Sequence, residues 1–241
     1  MSLNNFHDKI ISHAESKPDQ EVCGVVLLCP DLSVEIKQES NINPDPVNSF
    51  TISPQKLITY QVKYNLLGIY HTHPFSDENP SEQDIVNSEE SGIPYLIYSL
   101  ITKKFFLYYP ESFEPDSLIG RPYIKGFHEC TCLLKDYFIK NLNINITQWN
   151  KNYWLTESDQ EANKLLIDIL NTNTDRVEIQ NIKKHDILVF QIKKSGRKHV
   201  GIYLGDDYFI HQCGHSISRK DMLDSRWQSK IKGAYRHRSL V

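Results

Sequence analysis

Apolar positions recur four apart at Phe6, Ile10 and Ala14, with Ile11 beside them, and the pattern stops at Pro18. This spacing predicts a short amphipathic helix from Asn5 to Lys17. The unbroken apolar run from Val22 to Cys29 predicts a buried strand, and Ser33 to Gln38 alternates as its partner would. After a turn-rich loop from Asn41 to Phe50, the segment Pro54 to Tyr64 reads as a helix and Leu66 to His71 as a strand. Ser81 to Ser91 follows as a helix, and Tyr95 to Leu100 and Lys104 to Tyr109 as a closing pair of strands.

Pro110 to Pro122 is rich in proline and acid and poor in periodic apolar residues, the composition of a boundary. Beyond it, Leu133, Leu134, Tyr137, Phe138 and Leu142 form a helical stripe. His185–Ile192, His199–Gly205 and Tyr208–Gly214 then read as short strands separated by turn signals. A chain of 241 residues accommodates two domains of roughly 100–150 residues each. The expected organisation is a mixed α/β domain over 1–110, a linker over 111–119, and an α+β domain over 120–241 in which a helix precedes a small antiparallel sheet.

A net charge of −3 with interspersed signs gives no general attraction to nucleic acid or anionic lipid. The basic run Lys193, Lys194, Arg197 and Lys198 reads as a solvated turn. No segment approaches the ~20 apolar residues of a membrane span, and the first residues lack a basic start followed by an apolar stretch, so a soluble cytoplasmic product is expected. The five cysteines, Cys23, Cys29, Cys130, Cys132 and Cys213, are odd in number and scattered, which fits reduced thiols.

In an extended segment alternate side chains share a face, so His71 and His73 can present two imidazoles to one ion. Pro74 helps end the strand, and Ser81 with Asp84 has the pattern of a helix start that places a carboxylate in a rigid first turn. Two histidines and one carboxylate leave a tetrahedral zinc with an open position for water, as a catalytic site requires. Glu21, just before the first strand, is the acid available as a base, and the Ser81 hydroxyl is available as a stabiliser. Read by spacing alone, the same residues equally suit a helix cap and a strand-leading acid. The stretch from Glu21 to Leu28 followed by His71-Thr-His-Pro, with seven residues between His73 and Ser81 and two between Ser81 and Asp84, resembles the JAMM (JAB1/MPN/Mov34) metallopeptidases. That resemblance implies a mixed sheet of the cytidine-deaminase-like type with flanking helices, and cleavage of peptide or isopeptide bonds, often beside a ubiquitin-like C-terminus. It also implies Zn2+ on His71, His73 and Asp84, Glu21 as general acid/base, and Ser81 as stabiliser of the intermediate.

Cys130 begins the helical stripe of the second half, where the helix dipole and free amides favour a thiolate. His199 and His211, on neighbouring strands, supply a base and a group to orient it. Each residue taken singly is also explained by ordinary burial. The order of Glu129-Cys130, then His199-Val-Gly-Ile-Tyr-Leu-Gly, then His211, resembles NlpC/P60 cysteine peptidases. The resemblance implies a papain-like α+β domain with Cys130, His199 and His211 as its catalytic set and Tyr123 as an active-site wall or oxyanion contributor. Glu129 replaces the usual Asp, and Cys132, where glycine is frequent, reads as packing. His128, His185, His215 and Cys213 carry no motif role.

The fusion of these domains in this order resembles tail-tip assembly proteins of tailed phages and prophages. It implies tail-tip proteins as partners, with a tail protein bearing a ubiquitin-like segment as substrate of the first site and peptidoglycan stem peptides as substrate of the second. Nucleic acid and membrane insertion are not implied. The expected location is the host cytoplasm during assembly and the virion tail tip. Two other readings stay open: an assembly factor that uses both domains as binding modules, and a cellular endopeptidase for ubiquitin-like modifiers.

Overall fold

The computed structural model describes residues 6–115, 117–146, 158–194, 196–214 and 216–240. The chain forms two compact units, Met1–Phe113 and Glu114–Val241.

In the first unit, helix α1 (Phe6–Ser16) buries Phe6, Ile10 and Ala14, the residues its spacing picks out; Asn5 lies outside the described residues. Strand β1 (Cys23–Leu28) lies between β2 (Val34–Glu39) and β3 (Asn65–His73), antiparallel to both. Its run is unbroken because Val25 and Val26, which point to opposite faces, are both fully buried. Helix α2 (Pro54–Lys63) opens on a proline, whose fixed φ suits a first turn. Helix α3 (Glu82–Ser91) connects β3 to β4 (Tyr95–Ser99), which pairs parallel with β3, and β5 (Phe105–Tyr108) closes the edge antiparallel. The five-stranded order is β2-β1-β3-β4-β5. Cys23, Val25, Leu27, Phe50, Ile52, Ile69, Tyr95 and Ile97 share its core.

The strand expected to end at His71 runs on to His73, because pairing with β4 continues to His73 opposite Ser99. Both histidines therefore sit in a hydrogen-bonded ladder. Gly24 lies opposite Tyr70, whose ring crosses it to bring its hydroxyl 2.8 Å from His13 Nδ1. A Cβ at Gly24 would fall 2.2 Å from the Lys37 carbonyl oxygen and 2.5 Å from the Tyr70 ring. Gly24→Ala is accordingly expected to destabilise this unit by about 1–3 kcal/mol or more, read as a lower urea midpoint at unchanged slope.

In the second unit, α4 (Cys130–Leu142) and α5 (Asp159–Asn173) lie on one face of a six-stranded antiparallel sheet. Its strands are β6 (Thr174–Val177), β7 (Ile187–Phe190), β8 (His199–Gly205), β9 (Tyr208–His211), β10 (Arg219–Met222) and β11 (Ile231–His237), in the order β10-β9-β8-β7-β11-β6. Leu133, Tyr137 and Phe138 of α4, with Leu166 and Leu170 of α5, pack on Ile187, Val189, Val200 and Ile202. The alternate residues Leu188, Phe190 and Phe209 face the other way and are covered by Leu223 and by Trp227 of the short helix α6 (Ser225–Gln228).

The sheet is wider than the sequence pattern suggests. β7, β8 and β9 correspond to the expected strands, while β6 and β10 are polar edge strands without apolar alternation. α5 also escapes the sequence reading, although Ala162, Leu166, Ile169 and Leu170 carry a helical period behind the Ser158 cap, which accepts from Glu161 N.

Candidate functional site

The end of β3 and the start of α3 bring three donors to one point in the first unit. His71 Nε2 and His73 Nε2 are 3.2 Å apart, His71 Nε2 is 3.1 Å from Asp84 Oδ1, and His73 Nε2 is 3.4 Å from Asp84 Oδ2. All three residues are buried. A zinc ion with ligands at 2.0–2.1 Å in a tetrahedron has ligand–ligand edges of roughly 3.3 Å, so this donor set fits the ion in both type and spacing. The rings are held in place. Phe50 stacks on His71 with centroids 4.4 Å apart, and His73 Nδ1 donates to the Asp77 carbonyl at 2.7 Å, which leaves its Nε2 lone pair facing the cluster.

Asp84 is the third residue of α3 and closes a capping box with Ser81. The Ser81 hydroxyl accepts from Asp84 N and donates to Asp84 Oδ2 at 2.6 Å. The helix cap and the candidate ligand are thus one structure, and the two readings of this spacing do not exclude each other. Burial opposes ionisation of Asp84, but His71, His73 and Ser81 hold its carboxyl well below the usual range. Burial keeps His71 below its ordinary value; for His73 the same effect is outweighed by Asp84 and the Asp77 carbonyl, which raise it.

Glu21 lies two residues before β1. The Thr72 hydroxyl accepts from Val22 N at 3.0 Å, and Glu21 is clamped by its own N–H on the Pro46 carbonyl and by Asn41, which donates to its carbonyl. Glu21 is only 6% exposed, and its carboxyl feels both His73 and Asp84 electrostatically. Burial raises it to about 8.

The second unit holds a cleft of about 380 Å³ lined by Tyr123, Glu129, Cys130, His199, Gln212 and Cys213, with the basic loop around Arg197 at its margin. The Lys193–Lys198 run, read as a solvated turn, borders this cleft, where Arg197 pairs with Asp159 of α5 at 3.1 Å. Cys130 is the first residue of α4, and the N–H groups of Val200 and Thr131 favour its thiolate. Burial and Glu129 outweigh them and push the thiol up to about 12. Burial and His211 lower His199 to about 3. Both shifts favour the neutral forms, a thiol on Cys130 and an uncharged imidazole on His199.

His199 Nε2 lies 3.0 Å from His211 Nδ1. Gly201, two residues after His199, stands opposite His211, and a Cβ there would meet the His211 side chain at 3.1 Å and the Ile210 carbonyl oxygen at 2.9 Å. The glycine leaves the space in which the His211 side chain sits against β8. His211 Nε2 in turn lies 3.1 Å from Asp221 Oδ2, a carboxylate also bound by Arg219 at 3.0 Å. Asp221 has no signal in the sequence, because β10 alternates no apolar residues and its acid stands among basic neighbours. Cys132 is buried and its thiol faces the Gly126 carbonyl at 3.2 Å, away from the cleft-lining set. His185 bonds the Tyr137 hydroxyl at 2.8 Å, His128 is buried beside a bridge to Ile124, and His215 lies outside the described residues.

Comparison with known proteins follows the same division. Residues 4–110 match the family model for prokaryotic homologs of the JAB domain, and residues 120–236 match the NlpC/P60 family. The chain is 22% identical over 233 residues to tail tip assembly protein K of Escherichia phage N15, across 97% of this chain and 94% of that protein. Its identity to tail tip assembly protein K of Escherichia phage lambda is 22% over 190 residues, covering 78% of this chain and 90% of that one. The chain is also similar to desampylase of Haloferax volcanii, 30% identical over 103 residues that span 38% of this chain and 74% of that protein. Joining a JAB domain to an NlpC/P60 domain and aligned with these phage proteins over most of its length, the chain is a homologue of tail tip assembly protein K.

Proposed function

We propose that the chain is a bifunctional peptide-bond hydrolase that acts in assembling the tail tip of a tailed phage or prophage. The observation that carries this reading is the convergence of His71, His73 and Asp84, with donors 3.1–3.4 Å apart, beside the buried Glu21. When bound, zinc supplies a Lewis acid and lowers the pKa of water, so that a nucleophile exists at neutral pH. His71, His73 and Asp84 would hold the ion. Glu21 accepts the proton of the attacking water and returns it to the leaving amine. Ser81 is the stabiliser of the developing oxyanion, a role in which its single O–H leaves Asp84 Oδ2, to which it donates at 2.6 Å.

In the second unit Cys130 Sγ attacks the carbonyl carbon while its proton passes to His199, which the His211 ring orients. His199 then protonates the leaving amine, and water, deprotonated by His199, releases the acyl group from sulfur. Both pKa shifts favour the neutral resting pair, so the proton moves as the sulfur attacks. Tyr123 forms part of the wall where the oxyanion develops. The γ-D-glutamyl–diamino acid bond of peptidoglycan stem peptides suits this site, and a tail-tip protein with a cleavable, ubiquitin-like segment suits the first. Such substrates place the protein in the host cytoplasm during assembly and at the virion tail tip. Among the described residues no helix is long and apolar enough to cross a membrane.

Metal content measured by mass spectrometry on protein purified without chelators tests the reading. The expected result is about one zinc per chain, lost in His71→Ala. Absence of zinc, together with no uptake on titration, would make the first unit a binding module and leave Cys130 as the catalytic centre.

A further inference from the structure

His211 is 1% exposed, and its ring is confined between Phe209, stacked at 4.6 Å, and the edge of Trp227 at 4.9 Å. Its two nitrogens are both engaged, Nδ1 with His199 Nε2 at 3.0 Å and Nε2 with Asp221 Oδ2 at 3.1 Å. Burial opposes a charge on Asp221, but hydrogen bonds from His211 and Arg219 keep its carboxyl below its ordinary value. An ionised carboxylate only accepts, so the proton of this contact must sit on His211 Nε2. Burial lowers both histidines, which keeps them neutral, so His211 Nδ1 carries a lone pair and must accept from His199 Nε2–H. The His199 nitrogen that remains, Nδ1, is then unprotonated.

We propose that Asp221, held by Arg219 on the edge strand β10, is a positioning residue that fixes which nitrogen of His199 carries the proton. Its catalytic consequence rests on the reading of Cys130 and His199 as nucleophile and base: only the tautomer with a free Nδ1 leaves His199 a lone pair outside its bond to His211. Asp221→Asn can turn an amide N–H toward His211 Nε2. The histidines then invert together, with His211 Nδ1–H donating to His199 Nε2, and His199 holding its proton on Nδ1. A base protonated at that nitrogen accepts nothing from a thiol. Asp221→Glu keeps the acceptor.

The experiment is histidine ¹⁵N NMR on the full chain, with the alkylation rate of Cys130 by iodoacetamide followed by mass spectrometry of its peptide. The expected result is Nε2–H on both His199 and His211 in the native protein, Nδ1–H on both in Asp221→Asn, and the native pattern in Asp221→Glu. Alkylation of Cys130 should fall about 10²-fold in Asp221→Asn, the scale of a lost general base, and recover in Asp221→Glu. A native His199 protonated at Nδ1, or tautomers that are the same in Asp221→Asn, would overturn the proposal. A tautomer switch that leaves the alkylation rate of Cys130 unchanged would uphold the role of Asp221 and refute the assignment of His199 as the base of Cys130.

Discussion

Glu21→Gln is expected to lower zinc-dependent peptide cleavage by about 10²–10⁴-fold while the protein keeps its metal. The carboxyl lies beside His73 and Asp84 without belonging to the three-donor cluster. Its removal therefore takes away a proton carrier and leaves the ligands in place. Paired measurements of turnover and metal content separate the roles: loss of zinc together with activity would make Glu21 a ligand, and retained activity would assign the base elsewhere. The same substitution has a stability consequence in metal-free protein. Burial raises Glu21 to about 8 in the folded state. A raised carboxyl binds its proton more tightly when folded, so its contribution is complete at acid pH and is lost as pH rises toward 8. Glu21→Gln should remove that loss, with a urea midpoint less dependent on pH between about 5 and 8 and a gain of the order of a few kcal/mol at the upper end. A site assembled for function then costs stability at neutral pH when the ion is absent.

Cys130→Ala should end thiol-dependent hydrolysis of peptidoglycan stem peptides, a fall of at least about 10⁴-fold, and leave zinc-dependent cleavage unchanged. The two units have separate cores, so the loss is confined to one reaction. The informative control is Cys132→Ser, two residues away on the same helix. Cys132 points at the Gly126 carbonyl, where a serine hydroxyl can donate in its place, and it does not line the cleft. Digestion products resolved by chromatography should be absent for Cys130→Ala and native for Cys132→Ser. The reverse result would exchange the two thiols, and digestion by both variants would show that neither is the essential nucleophile.

Local pattern alone carried much of this protein. Alternation along β3 puts His71 and His73 on one face whatever surrounds them, because a strand repeats every second residue. The Ser81–Asp84 box is likewise local, a cap closed within four residues. Amphipathic spacing sufficed for α1, and the continuous apolar runs sufficed for β1 and β7, which are buried on both faces. Pairing, however, is a long-range choice. Only the folded chain brings Glu21 to His73 and Asp84, through a Thr72 hydroxyl that accepts the Val22 amide 50 residues away in sequence. Only it reveals that Gly201 makes room for His211, and that a charged edge strand supplies Asp221. Edge strands bury little, so they need no apolar alternation and leave none to read. Side chains declare themselves in sequence when their neighbours are a turn or a pleat away; where the partner lies on another strand, the tertiary structure decides.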